Sequence, residues 1–175
     1  MKPRLLLIVG MILAAIASRL VPHPPNFTPI GAIALLGGAC VANKPLAFVI
    51  PLAAMFLSDL VLGLGPQTVW VYASFAATVC IGLWIRSRRT PLMIAGGALA
   101  SAVLFFVVTN FGVWAAGTLY PKTAAGLAEC YGAAIPFFRN MLLADLFHAA
   151  LLFGCVALAE KRFPRLREPE LVAAQ

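Results

Sequence analysis

Three side chains that can ionise or bind a metal, Asp59, Asp145 and His148, lie inside apolar stretches of the sequence rather than between them. The chain as a whole is 62% hydrophobic and only 11% charged. An ionisable group in hydrocarbon is costly unless it has a partner or a water-filled cavity, so such residues commonly mark the pathway of a ligand or ion. They predict that this protein handles a polar solute inside a membrane.

Further polar residues fall at similar depths once each apolar stretch is placed as a helix that rises about 1.5 Å per residue. The inner halves of the same helices are almost wholly apolar. This distribution predicts a cavity open to the outside rather than a continuous channel, which needs polar residues on both sides. The alternative is that the polar groups only tie helices together, with Asp59 paired to Arg139 or Arg19. The residues assigned to the outer half are Asp59, Tyr72, Thr109, Asn110, Arg139, Asn140, Asp145 and His148.

Cys80 is the one cysteine placed near these groups, because it follows Tyr72 by two helical turns. We expect Tyr72, Ala76 and Cys80 to point the same way. Simple counting puts Cys80 about 16 Å from Val69, below the middle of its helix, so the pocket must be deep or the helix must begin later. Both Cys80 and His148 have a simpler alternative role as buried core residues. The four cysteines show no metal-ligand spacing and indicate neither a disulfide framework nor a zinc site.

The elements that must position these residues are transmembrane helices. The mean hydropathy of +0.97 lies far above that of soluble domains, and a spanning helix needs about 20 apolar residues. The sequence lacks the strict alternation of polar and apolar residues that is typical of a membrane barrel. We therefore predict an all-α membrane protein with six spans, the second of them short: 5–20, 30–41, 46–64, 69–85, 92–111 and 137–159.

The basic residues predict the orientation. With the N-terminus in the cytoplasm, ten of the thirteen Lys and Arg residues fall inside, and only Arg19, Lys122 and Arg139 fall outside. This asymmetry is typical of six spans with both termini cytoplasmic. It also accounts for the net charge of +7, so nucleic-acid binding is not needed to explain it. The first apolar stretch has an alternative interpretation as a signal peptide.

Two predicted outer segments are distinctive. Residues 21–29 contain four prolines, which predicts an extended, stiff segment. Residues 115–136 include a stretch that predicts a short surface helix. Each segment is either a lid over the cavity or a simple connector. We expect one transmembrane domain over residues 1–160 and a basic cytoplasmic tail over residues 161–175.

Five phrases of the sequence resemble the BtuM group, the predicted cobalamin transporters of Gram-negative bacteria that are related to the substrate-binding S-components of energy-coupling-factor (ECF) vitamin transporters. The similarity covers nearly the whole chain up to the basic tail. The phrases are PHPPNFTPI at 22–30, LSDL at 57–60, VYASF at 71–75, TNFGVW at 109–114 and IPFFRN at 135–140.

The resemblance implies an S-component-like bundle in the bacterial inner membrane that binds cobalamin and takes it up. It implies that the Cys80 thiolate is the axial cobalt ligand, with His148 as the rival, since thiolate and imidazole both suit transition metals. Sulfur donation to cobalt would then assist decyanation of cyanocobalamin. Phe27, in the first phrase, joins the expected ligand-binding residues.

Other functions remain open at this point. The chain could be an S-component for another vitamin, with no metal-ligating cysteine, or a membrane scaffold without a solute. The sequence contains no phosphate-binding loop, so an ATP-driven step requires a partner. That partner would be an ECF energising module; the alternative is uptake without one. The expected partners are thus a corrinoid substrate and membrane lipid. An ECF energising module is a further expected partner, and the alternative is that there is none.

Overall fold

A computed structural model describes residues 3–167, and this part of the chain is helical without a β-strand. Five of its helices are long and apolar enough to cross a membrane, which makes this a multi-pass membrane protein by length and composition. Two short 3-10 helices, Ser18–Leu20 and Pro164–Leu166, follow the first and last of the α-helices. The α-helices are α1 Pro3–Ala17, α2 Ile30–Cys40, α3 Lys44–Leu62, α4 Thr68–Ile85, α5 Pro91–Ala116 and α6 Ala124–Arg162.

Polar side chains mark where three of the long helices begin. The side chains of Asn43, Thr90 and Thr123 each accept a hydrogen bond from a backbone N–H in the first turn of α3, α5 and α6, respectively. Such a cap satisfies one of the N–H groups that lack an intrahelical partner. Pro91, at the first position of α5, needs no such partner because it has no N–H.

The shortest helix, α2, is the most buried element, and every residue from Ala32 to Cys40 is shielded from solvent. A helix that is apolar all round belongs in a core, and small residues allow close contact there. A Cβ added to Gly38 would lie 2.8 Å from the Cα of Gly82 on α4. The two backbones therefore touch, and only glycine fits at this crossing.

Arginines gather several helix ends at one end of the bundle, called here the basic end. Arg4 donates to the carbonyl of Cys40, the last residue of α2, and pairs with Glu160 near the end of α6 at 2.6 Å. Arg86, after α4, donates to the carbonyls of Gly38, Val41 and Ala42 at 2.6 to 3.1 Å. These bonds satisfy the carbonyls that the end of α2 leaves without helical partners.

Two predicted boundaries are wrong. The fifth helix continues to Ala116 rather than ending at 111, and the last helix begins at Ala124 rather than at 137. The expected surface helix is thus the first part of α6, which runs through Pro136. Proline removes one backbone donor, and neighbouring helices make that tolerable in membrane proteins. At 39 residues, α6 is about 58 Å long, far more than the hydrocarbon layer requires.

The described part of the predicted tail, residues 161–167, contacts the bundle. Residues 161 and 162 complete α6, and the carbonyl of Leu166 accepts a hydrogen bond from Arg4 at 3.0 Å. This short stretch therefore packs on the basic end of the bundle. Residues 168–175 of the predicted tail lie outside the described residues.

Candidate functional site

A cavity of about 330 Å³ opens at the end of the bundle opposite the basic end. It lies among α3, α4, α5 and α6, beneath the segment 21–29. Both charged and aromatic side chains contribute to its wall. The lining residues are Arg19, Asn26, Thr28, Ile30, Gly31, Met55, Asp59, Gly63, Gly65, Gln67, Thr68, Val71, Tyr72, Phe75, Thr78, Ser101, Phe105, Met141 and Asp145.

An ion pair between Arg19 and Asp59 forms one side of the cavity. The guanidinium Nη1 of Arg19 lies 2.9 Å from the carboxylate Oδ1 of Asp59, and both side chains are largely buried. The hydroxyl of Tyr72 donates to the second carboxylate oxygen at 2.9 Å. Arg19 also donates to the hydroxyl of Ser58. The two charges therefore compensate each other, and the network ties the end of α1 to α3 and α4.

Asp145 forms the deepest charged group of the cavity. Asp145 is only 4% exposed, and its carboxyl group lies beside the backbone N–H of Ala32 in the first turn of α2. A Cβ added to Gly31 would overlap this carboxylate. Glycine at position 31 thus lets an acidic group from α6 approach the N-terminus of α2, where the helix dipole favours negative charge.

The proline-rich segment 21–29 covers the cavity and contributes Asn26 and Thr28 to its lining. The segment was predicted to be extended, but it contains a tight turn. In this turn the N–H of Phe27 donates to the carbonyl of Pro24 at 3.0 Å. Asn26 has a φ of 58°, which suits the third position of a turn that has Pro25 at its second. The segment is therefore a compact cover.

Side chains of α6 hold this cover in place. The amide of Asn140 donates to the carbonyl of Pro25 at 3.1 Å. The ring of Phe27 packs against the rings of His148 at 5.5 Å and Phe147 at 6.2 Å between centroids. The Nδ1 atom of His148 lies 2.7 Å from the carbonyl of Ala144 in the preceding turn. Asn140, Phe147 and His148 therefore contact the cover and do not line the larger cavity.

A smaller cavity of about 120 Å³ lies beside the first, between α5 and α6. Asn26, Phe105 and Met141 border both cavities and separate them. Asn110 lines the smaller one and donates its amide N–H to the carbonyl of Phe106 at 2.8 Å. Thr109 lines it as well. The two cavities would join if the Phe105 and Met141 side chains turned aside.

Of the predicted ligand-binding residues, the structure brings Asp59, Tyr72 and Asp145 together in the lining of the larger cavity. The structure assigns Asn110 to the smaller cavity, and Asn140, Phe27 and His148 to the cover. Arg139 is exposed and borders neither cavity. Of the two partners considered for Asp59, the structure selects Arg19.

Cys80 does not join the cavity, and the expectation that it shares a face with Tyr72 is wrong. Its side chain is exposed on the outside of the bundle. Eight residues at about 100° each leave Cys80 roughly 80° round the helix from Tyr72, and five residues leave it roughly 140° from Phe75. Tyr72 already lies at one edge of the buried face of α4, so this rotation takes Cys80 out of the bundle.

The apolar part of the wall is not apparent from the polar residues of the sequence. Phe75, Phe105 and Met141 line the larger cavity, yet each has the apolar character of any membrane helix. Phe75 was signalled only by its spacing of three residues from Tyr72, which places both on neighbouring positions of one face. Within residues 3–167, no three His, Cys, Asp or Glu side chains converge to hold a metal ion.

The family of the chain follows from comparison with known proteins. A family model described as a family of unknown function, DUF6580, matches residues 1–166. The chain belongs to the DUF6580 family. No curated protein and no solved structure matches it. Because the match covers the whole described bundle, the cavity and its cover both lie within the part of the chain that defines membership of DUF6580.

Proposed function

We propose that this protein binds a corrinoid, cobalamin or a close relative, and takes it up across the bacterial inner membrane. One observation carries the proposal. The five phrases that resemble the BtuM group are scattered over more than a hundred residues, yet all of them border the two cavities. The phrases at 22–30, 57–60 and 71–75 supply residues to the larger cavity, and those at 109–114 and 135–140 supply residues to the smaller one.

The proposed topology has six crossings with both termini cytoplasmic. The arginines at the basic end and the ten-to-three division of basic residues support a cytoplasmic position for that end. The cavity then faces outward. Although α2 is short, it is enclosed by other helices, so its limited length does not expose polar backbone to lipid.

A corrinoid requires more space than the present cavity provides. Pockets of about 300 to 1,000 Å³ suit drug-sized ligands, and a corrinoid with its nucleotide loop is larger than these. The cover must therefore move, and Phe105 and Met141 must turn so that both cavities join. The cover is held by one hydrogen bond to Asn140 and by ring contacts of Phe27, which is a small attachment to release.

Ligation of cobalt by the Cys80 thiolate is a separate part of the proposal and requires a further movement. The thiol lies about 140° round α4 from Phe75, so the corrinoid must reach the outer face of α4. Decyanation of cyanocobalamin by sulfur donation depends on this step. The proposed energising partner is an ECF module, and the alternative is uptake without one.

A second candidate function is uptake of a smaller vitamin by an S-component without a metal-ligating cysteine. Two observations favour it. The cavity of about 330 Å³ already matches a small vitamin without movement of the helices, and Cys80 lies outside that cavity.

The deciding experiment fills the cavity. Met141→Trp places an indole in the wall that both cavities share, whereas Leu143→Trp places one on the exposed face of the same helix. Both proteins are purified in detergent and incubated with cyanocobalamin and aquacobalamin, and retained corrinoid is measured by visible absorption after gel filtration. We expect corrinoid on the wild type and on Leu143→Trp, and at least tenfold less on Met141→Trp. Equal retention by both variants would remove the cavity from the proposal.

The same spectra test the thiolate. If Cys80 ligates cobalt, Cys80→Ser loses the thiolate-type absorption and any cyanide release, whereas Cys155→Ser, which removes the other exposed thiol, keeps both. An unchanged spectrum in Cys80→Ser would exclude this ligand and leave corrinoid binding to the cavity residues alone. If no corrinoid is retained by any protein, the smaller-vitamin function takes its place.

A further inference from the structure

The larger cavity is lined by more acidic than basic side chains. Its charged lining residues are Arg19, Asp59 and Asp145. Arg19 and Asp59 pair with each other at 2.9 Å, while Asp145 forms none of the ion pairs found within residues 3–167. The cavity wall therefore carries one carboxylate without a basic side chain beside it.

Backbone dipoles offset this charge only in part. The N-terminus of α2, which meets the Asp145 carboxylate through Ala32, contributes about half a positive charge. The end of α3 at Gly63 and the start of α4 at Thr68 also border the cavity, and their opposite dipoles cancel. A cation that enters this largely apolar pocket favours the ionised form of the Asp145 carboxyl group, and the low polarity strengthens their mutual attraction.

The aromatic wall adds to the same preference. Tyr72, Phe75 and Phe105 line the cavity, and the ring centroids of Phe75 and Phe105 lie 5.2 Å apart. Aromatic faces attract cations through their quadrupole, more strongly where water is excluded. Met55 and Met141 also line the cavity, and a thioether side chain is polarisable.

We propose that the cavity selects solutes that carry a positive charge. Asp145 provides the counter-charge, and the aromatic wall contacts the apolar part of the solute. This inference deepens the proposed function and rests on it only where it names a corrinoid. For corrinoids, it means that the cationic aqua form binds more tightly than the neutral cyano form, because exchange of the cyanide anion for water raises the net charge by one. For smaller solutes, it means an ammonium or a cationic ring in preference to a neutral one.

The test compares matched cationic and neutral probes on one protein. Binding of benzylammonium and of benzyl alcohol at pH 7 is measured by thermal stabilisation of the purified protein in detergent. Aquacobalamin and cyanocobalamin form a second pair, used in the Cys80→Ser background so that thiol ligation does not contribute. The variants are Asp145→Asn, which removes the acid and keeps the size of the side chain, and the control Glu129→Gln, which removes a negative charge from the same helix outside both cavities.

We expect the wild type and Glu129→Gln to bind benzylammonium at least tenfold more tightly than benzyl alcohol, and Asp145→Asn to lose this preference. Equal affinity for the two probes, or a preference that survives in Asp145→Asn, would overturn the inference. A cation preference without corrinoid retention would refute the corrinoid and leave the inference standing. Corrinoid retention with equal affinity for both forms, together with equal binding of the small probes, would overturn the inference and leave the corrinoid function standing.

Discussion

Replacement of Arg19 and Asp59 by apolar residues, singly and together, tests the network at the side of the cavity. Two charges 4 Å apart attract by about 4 kcal/mol at an effective dielectric constant of about 20, a value suited to side chains that are 14% and 13% exposed. Desolvation offsets much of this attraction when both charges are present. Removal of one partner leaves the other buried and uncompensated, which typically costs about 3–5 kcal/mol.

We therefore expect Asp59→Leu and Arg19→Met each to lower the unfolding temperature by roughly 6–20 °C, since about 2–4 °C corresponds to 1 kcal/mol in a protein of this size. The double variant should recover to within about 2 kcal/mol of the wild type. It still lacks the hydrogen bond from Tyr72, worth about 1 kcal/mol. The coupling energy between the two sites is thus expected to be at least about 3 kcal/mol.

The measurement is thermal unfolding of all four proteins in one detergent at one scan rate, with Arg139→Met as the control. Arg139 lies on the exposed surface, so its replacement should change the unfolding temperature little. Strict additivity of the two single variants would refute the reasoning, because independent sites show no coupling. A large loss in Arg139→Met would show instead that any basic residue supports the fold.

Three further variants follow from local geometry. Arg86→Met should lower the unfolding temperature because it leaves the α2 carbonyls unpaired, whereas the exposed Arg88→Met should not; an equal effect of both would contradict the capping role of Arg86. Gly82→Ala should destabilise by about 1–3 kcal/mol through overpacking, measured against Gly10→Ala, where a Cβ meets nothing within 4 Å. Asn26→Ala should cost about 1 kcal/mol and Asn26→Gly much less, because glycine accepts positive φ; similar losses in both would argue against the turn.

Hydropathy was sufficient to predict the helical membrane bundle, and depth along the helices was sufficient to place Asp59 and Tyr72 in the same cavity. Rotation about the helix axis was harder to predict. The spacing of Tyr72 and Cys80 leaves an angle of about 80°, and the direction of the core decides whether that angle keeps a residue inside. For α4, an almost uniformly apolar sequence gives no indication of that direction.

Other features depended on contacts between distant segments. The continuation of α6 through Pro136 reflects support from neighbouring helices, which proline itself does not reveal. The contact of Asp145 with the start of α2 requires Gly31 on a different helix. Spacing within either helix contains no information about this pairing, so the site of Asp145 in the cavity was predictable and its partner was not.

The contact between Gly38 and Gly82 determines which parts of the bundle can move. A Cβ on Gly82 would lie 2.9 Å from the Cα of Gly38 and 3.0 Å from the nitrogen of Ala39, so the backbones of α2 and α4 mesh without side chains between them. Helices meshed in this way slide or turn against each other only by separating first. The pair therefore serves as a fixed frame, and any opening of the cavity falls to α5, α6 and the cover, whose contacts with that frame involve side chains.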